Sequence, residues 1–278
     1  MKRPRMIAVL PTLLTLGNGA CGFGAITFAA KLGPEHAEGR HLLVASLLIF
    51  LGMVFDMLDG SAARLTNQTS DIGAQLDSLC DAISFGVAPA FLMLQFVRHE
   101  YLSTDESQFF VGYIGRFLWT VSALYVLCTI LRLARFNVET EEEDTHEFFS
   151  GLPSPAAAGA LASFPIGMRE LLRIATTTES HQLEMWLVPG VKIAMVLVTF
   201  AVACLMVSRV RYPHVFNQWF RGRRTRRQVI HLVFIVAMFY WVLELAFLLI
   251  FCYFAFAPPL RAMWTEVASG RLYRSPDV

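Results

Sequence analysis

Four aspartates interrupt a stretch otherwise apolar enough to sit in a membrane, in the segment FDMLDGSAARLTNQTSDIGAQLDSLCDAISFGVAPA that opens at Phe55. Asp56 and Asp59 are three residues apart and Asp77 and Asp81 four apart, so each pair shares one face of a helix. Two adjacent antiparallel helices bring the four carboxylates together, where like charges repel unless cations intervene. Bound divalent metal answers that requirement. Oxygen donors, with no His or Cys nearby except Cys80, suit hard ions such as Mg²⁺ or Mn²⁺ better than zinc.

The residues between the pairs fit the same chemistry. Gly60, Ala63 and Gly73 keep the helix surfaces bare, so a bulky ligand can approach the backbone. Arg64 offers a planar fork to a phosphate oxygen. Carboxylate-held metal beside an arginine describes a pyrophosphate site, where catalysis is mostly positioning and charge neutralisation. Helix caps or boundary loops account for one or two aspartates, but not for four at helical spacing. Asp71 is read as structural, an N-cap ahead of Ile72.

The elements that must position these groups are membrane helices. The chain has 278 residues, 55% of them hydrophobic, and a mean hydropathy of +0.52, which is too apolar for a water-facing shell around one core. A span needs about 20 mostly apolar residues. Runs of that kind cover roughly 7–30, 42–59, 78–97, 113–133, 154–172 and 186–208, predicting an all-α polytopic bundle. The first run follows a basic start but continues too long for a signal peptide, so it is read as a transmembrane helix. The apolar region 229–257 has Glu244 in its middle. It is read as a pair of short or partly re-entrant helices turning near Trp241 to Glu244, with one long tilted span as the alternative. This divides the chain into a core at 1–214, a basic loop at 215–228, the apolar pair at 229–257 and a tail at 258–278.

Basic residues mark one side of the membrane. Lys2, Arg3 and Arg5 precede the first span, Arg132 and Arg135 close the fourth, and Arg209, Arg211, Arg221, Arg223, Arg224, Arg226 and Arg227 follow the sixth. Retention of such residues in the cytoplasm predicts a cytoplasmic N-terminus and a cytoplasmic segment from Asp59 to Asp77. The stretch RGRRTRR is read as a topology anchor rather than a lipid-gripping surface helix, and the acidic run Glu139 to Asp144 as a solvated loop. The five cysteines lack metal or disulfide spacing and are read as reduced packing residues. The seven histidines show no ligand spacing, and a net charge of +1 gives no reason to expect nucleic acid as a partner.

The order D-x-x-D-G-x-x-A-R, then G-x-x-x-D-x-x-x-D, is met here by Asp56, Asp59, Gly60, Ala63, Arg64, Gly73, Asp77 and Asp81. It resembles the signature of the CDP-alcohol phosphatidyltransferase family. The resemblance implies a six-helix catalytic core, two metal ions, a CDP-lipid donor and a homodimer. It assigns Asp56, Asp59 and Asp77 as metal ligands and Asp81 as ligand and candidate base. Gly60, Ala63, Arg64 and Gly73 would then surround the cytidine diphosphate.

Further stretches are similar to the phosphatidylserine synthase branch of that family: TLGN at 15–18, SFGVAP at 84–89, LRLARFN at 131–137, GLPSPAAA at 151–158 and LMVSRVRYPH at 205–214. They imply CDP-diacylglycerol and L-serine as substrates, with phosphatidylserine and CMP as products, at the cytoplasmic face of the inner membrane. Arg135 and Asn137 become candidates for the acceptor pocket. On spacing alone, Arg132 and Arg135 fit positive-inside anchors equally well. Asn18 fits either a helix neighbour or the CDP-lipid. Choline, glycerol phosphate or inositol phosphate are the alternative acceptors within the family. A transporter is the alternative class, but the inverted repeats common there are not visible. No Ser, Cys or His in the motif is paired with an activating base, which favours direct in-line transfer over a covalent intermediate.

Overall fold

A backbone surrounded by lipid must satisfy its own hydrogen bonds, which is why the apolar runs form helices. The structure is a computed structural model describing residues 5–31, 39–66, 71–101, 108–142, 148–177, 181–208, 210–213 and 243–268. In chain order they form α1 (Arg5–Ala29), α2 (Arg40–Thr66), α3 (Asp71–Asp81), a π-helical turn (Ala82–Val87), α4 (Ala88–Tyr101) and α5 (Gln108–Glu142). Then follow β1 (Phe148–Ser150), α6 (Ser154–Thr177), α7 (His181–Val207), β2 (Arg211–Pro213) and a last helix, α8 (Leu243–Ala268).

Five stretches are long and apolar enough to cross a membrane: Leu10–Ala29, Arg40–Ala62, Ile72–Arg98, Gly112–Val138 and Met185–Val207. The chain is thus a multi-pass membrane protein. The segment expected as a fifth span, 154–172, is helical within α6 but lacks the apolar density of the others. The reason is its place in the bundle. Every residue from 157 to 168 is buried, many of them alanine, and α6 packs against α2, α4, α7 and α8. A helix enclosed by protein on all sides needs small residues for close approach more than it needs large lipid-facing ones.

α8 is part of this packing. Its Phe247 and Phe251 rings lie 5.1 and 5.4 Å from that of Phe50 on α2, within the range of favourable aromatic pairs. Phe251 also fills the space beside Gly159 of α6, where any side chain would collide with the ring. The helix continues through Pro258 and Pro259 to Ala268, so the boundary expected at 257/258 falls inside one helix. The expected turn at Trp241 to Glu244 overlaps the start of α8 at Leu243. Residues 229–242, the first member of the expected pair, lie outside the described residues, as do the basic loop 215–228 and the tail beyond Ala268. A returning pair keeps both chain ends on one side, so a reporter fused after Val278 is expected to be active only in the cytoplasm. Activity only on the far side would instead mean a single crossing after α7.

α5 also outlasts its apolar run. It extends to Glu142, so Glu139 to Glu142 form its last turn rather than the start of a solvated loop. Glu is a good helix former, and no Gly or Pro occurs before Gly151 to stop the helix earlier.

Two local devices set the geometry around the aspartates. The first is the π-helical turn, whose Ser84, Phe85 and Gly86 are buried. Its widened backbone is stapled by neighbours: Tyr125 Oη donates to the Phe85 carbonyl at 3.0 Å, and Ser84 Oγ donates to the Asn18 carbonyl at 2.8 Å. Gly22 of α1 lies so close that an added Cβ would be 2.7 Å from Ser84 Cα. The second device is the ribbon in which β1 pairs antiparallel with β2, Phe149 opposite Tyr212. Just beyond it, Gly151 has φ +87° and its N–H bonds the Val210 carbonyl at 2.9 Å. A Cβ there would strike the Met206 carbonyl, so both conformation and space call for glycine. The ribbon ties the start of α6 to the end of α7.

Candidate active site

Three of the four expected carboxylates converge between neighbouring helices. Asp56 and Asp59 lie toward the end of α2, and Asp77 and Asp81 on α3. Asp56, Asp59 and Asp77 each place a carboxylate oxygen within 4.8 Å of the others. Asp59 is only 5% exposed. Its Oδ2, like Asp77 Oδ1, is buried and receives no hydrogen bond from any described residue. Buried acceptors without a donor are costly, and three ionised carboxylates at this range add repulsion. A divalent cation among them resolves both problems, so these residues fit such an ion. The Thr15 hydroxyl and Gly60 N–H lie against the Asp59 carboxylate.

Asp81 stands outside this trio. It is buried, 8% exposed, and its Oδ1 accepts a 2.8 Å hydrogen bond from Asn18 Nδ2. Of the two surroundings considered for Asn18, the amide N–H has a helix neighbour. Sequence reasoning did not connect residues 18 and 81. The signal available was a lone polar residue between two glycines on an apolar helix, which calls for a polar partner inside the bundle.

Arg132 was undervalued in the sequence. It lies within electrostatic reach of Asp56 and Asp81, and its Nη1 donates to Ser154 Oγ at 2.7 Å. Its Nε is buried without an acceptor among the described residues. The ribbon and Gly151 place Ser154 at the first position of α6, and Ser154 in turn holds the guanidinium. Arg135, one turn further along α5, is exposed. Asn137 pairs with Ser78 on α3, its Nδ2 2.9 Å from the hydroxyl, so it is tied to the residue after Asp77.

Gly60 has open space where a Cβ would project, as a ligand-facing glycine requires. Gly73 lies in the first turns of α3. Ala63 and Arg64 continue α2, but their side chains are outside the described ones, as is the proposed cap at Asp71, although α3 does begin at that residue.

A polytopic helical bundle that gathers carboxylates on two neighbouring helices, with a half-buried arginine facing them, is a membrane enzyme suited to an anionic, metal-bound substrate. Residues 8–260 match the CDP-alcohol phosphatidyltransferase family, and the chain belongs to it. Among its relatives is the CDP-diacylglycerol–serine O-phosphatidyltransferase of Helicobacter pylori, 34% identical over 188 residues, covering 67% of this chain and 68% of that protein. The protein of the same name from Bacillus subtilis is 30% identical over 207 residues, covering 74% and 90%. That from Saccharomyces cerevisiae is 37% identical over 151 residues, covering 51% and 48%.

Proposed function

We propose that this chain transfers the phosphatidyl group of CDP-diacylglycerol to L-serine, releasing CMP and forming phosphatidylserine. The observation that carries the reading is the convergence of Asp56, Asp59 and Asp77 with two buried, unpartnered oxygens, in a chain similar to serine phosphatidyltransferases over two thirds of its length. Asp56, Asp59 and Asp77 would hold Mg²⁺ or Mn²⁺, two ions in all, with Asp81 at the edge of the cluster. Such ions, when bound, neutralise pyrophosphate charge and stabilise the departing CMP.

The protein's own groups supply the rest. Gly60, Ala63, Arg64 and Gly73 surround the cytidine diphosphate, with Arg64 on a phosphate oxygen. Asp81 accepts the proton of the serine hydroxyl as the serine oxygen bonds to phosphorus and the phosphorus bond to CMP breaks in line. Arg135 and Asn137 receive the serine carboxylate, and Arg132 supplies a second, more deeply set cation. The active site faces the cytoplasm at the inner membrane, and the working unit is a homodimer. The test is an acceptor screen on purified protein that follows CMP release from CDP-diacylglycerol. Release with serine is expected. Release with choline, glycerol phosphate or an inositol phosphate, but not with serine, refutes the acceptor.

The two arginines can be separated by experiment. Lysine keeps the charge but loses the fork that grips a carboxylate. Arg135→Lys should raise the KM for serine by roughly 10-fold, the cost of about 1.4 kcal/mol of lost binding, and leave CDP-lipid affinity nearly intact. If instead Arg132→Lys raises the serine KM and Arg135→Lys does not, the carboxylate sits one turn deeper, beside Ser154.

A further inference from the structure

We propose that Asn18 is the positioning residue for Asp81, fixing which carboxylate oxygen is left to take the acceptor's proton. The inference rests on the reading of Asp81 as the base. Asn18 is fully buried, at 0% exposure, on the face of α1 that packs against α3 and the π-helical turn. Its Nδ2 donates to Asp81 Oδ1 at 2.8 Å. A carboxylate that is to take a proton is ionised and only accepts hydrogen bonds, so in that role Asp81 requires the N–H side of the amide, and the bond is charge-assisted.

The opposite side of the amide shows what this orientation costs. Asn18 Oδ1 is buried and receives no hydrogen bond from any described residue. An apolar side chain would carry no such penalty, so burial alone gives no reason for an asparagine here. What the asparagine adds is the bond to Asp81.

The surroundings hold the pair in register. Gly52 of α2 leaves room for the amide, since a Cβ there would lie 3.0 Å from Asn18 Oδ1. The Asn18 carbonyl accepts from Ser84 Oγ at 2.8 Å, so residue 18 grips α3 and the π-helical turn at two points three residues apart. Gly19 and Gly22 flank it, and an added Cβ would lie 3.0 Å from Cys80 Sγ at the first and 2.5 Å from Ser84 Oγ at the second. Residues 80, 81 and 84 therefore rest on one small-residue face of α1. With Oδ1 engaged, rotation of the Asp81 carboxylate is restrained and Oδ2 is left for the proton.

The test is steady-state kinetics on the full chain with CDP-diacylglycerol and serine, for Asn18→Leu and Asn18→Ala, alone and combined with Asp81→Asn. The single variants should lose kcat by roughly 10- to 100-fold, the range found when a group that orients an active-site ligand is removed, with both KM values little changed. In the Asp81→Asn background, where no base remains to be aimed, the Asn18 substitutions should add almost nothing. Using two variants guards against one failing to fold. A raised KM for CDP-diacylglycerol with kcat preserved would overturn the proposal and make Asn18 a lipid contact. An equal loss in both backgrounds would overturn it in favour of a purely structural role. If Asp81→Asn alone keeps near-normal turnover, the base assignment itself fails, and this inference falls with it.

Discussion

Asp81→Asn is expected to reduce turnover by on the order of 10²–10⁴-fold, the usual contribution of a positioned proton acceptor, while CDP-diacylglycerol still binds. The substitution keeps the size of the side chain and removes its ability to take a proton. Three features of its setting set Asp81 apart from its neighbours: it is buried, its Oδ1 is bonded by Asn18, and it lies outside the trio whose oxygens converge. Single-turnover measurement with saturating metal separates binding from chemistry. Near-normal turnover under those conditions would remove Asp81 as the required base.

The second large effect concerns the trio. Treating the protein with a chelator should abolish CMP release, and adding Mg²⁺ or Mn²⁺ should restore it. Asp56→Asn and Asp77→Asn should each raise the metal concentration needed for half-maximal activity by more than the roughly 10- to 100-fold that outer-shell changes cost. They should weaken CDP-diacylglycerol binding in parallel, because a pyrophosphate loses its counter-charge with the ion. The contrast with Asp81→Asn is the informative part, since that variant should lose turnover with little change in metal requirement. Full activity in the presence of chelator would refute the metal reading of all three aspartates.

The aspartate pairs were legible in the sequence because helical periodicity is local. Spacings of three and four place side chains on one face whatever the rest of the fold does, and α2 and α3 bear this out for Asp56 with Asp59 and for Asp77 with Asp81. The apolar runs were legible for a related reason, since lipid imposes length and composition one segment at a time. Where that local rule met protein instead of lipid, it was less informative. α6 is enclosed by four other helices and carries small residues, so its composition understates how deeply it lies. The far end of α5 has no apolar signal, yet it is helical through Glu142 because nothing in the chain breaks it.

What only the tertiary structure decided are the pairings between distant residues. Asn18 meets Asp81 across 63 positions, and Asn137 meets Ser78 across 59. Arg132 and Ser154 are 22 apart, and the place of Ser154 depends on a ribbon formed with residues beyond α7. Arg132 and Arg135 are both arginines on one helix, three residues apart, and no local rule tells which faces the carboxylates. Packing does, because the rotation of α5 about its axis is set by Tyr125 bonding the π-helical turn and by Thr129 seated against Gly86. Residue type and spacing determined which chemistry this chain carries. Which side chain aims, holds or counterbalances another was settled by helix rotation and close backbone approach, properties of the assembled bundle rather than of any one segment.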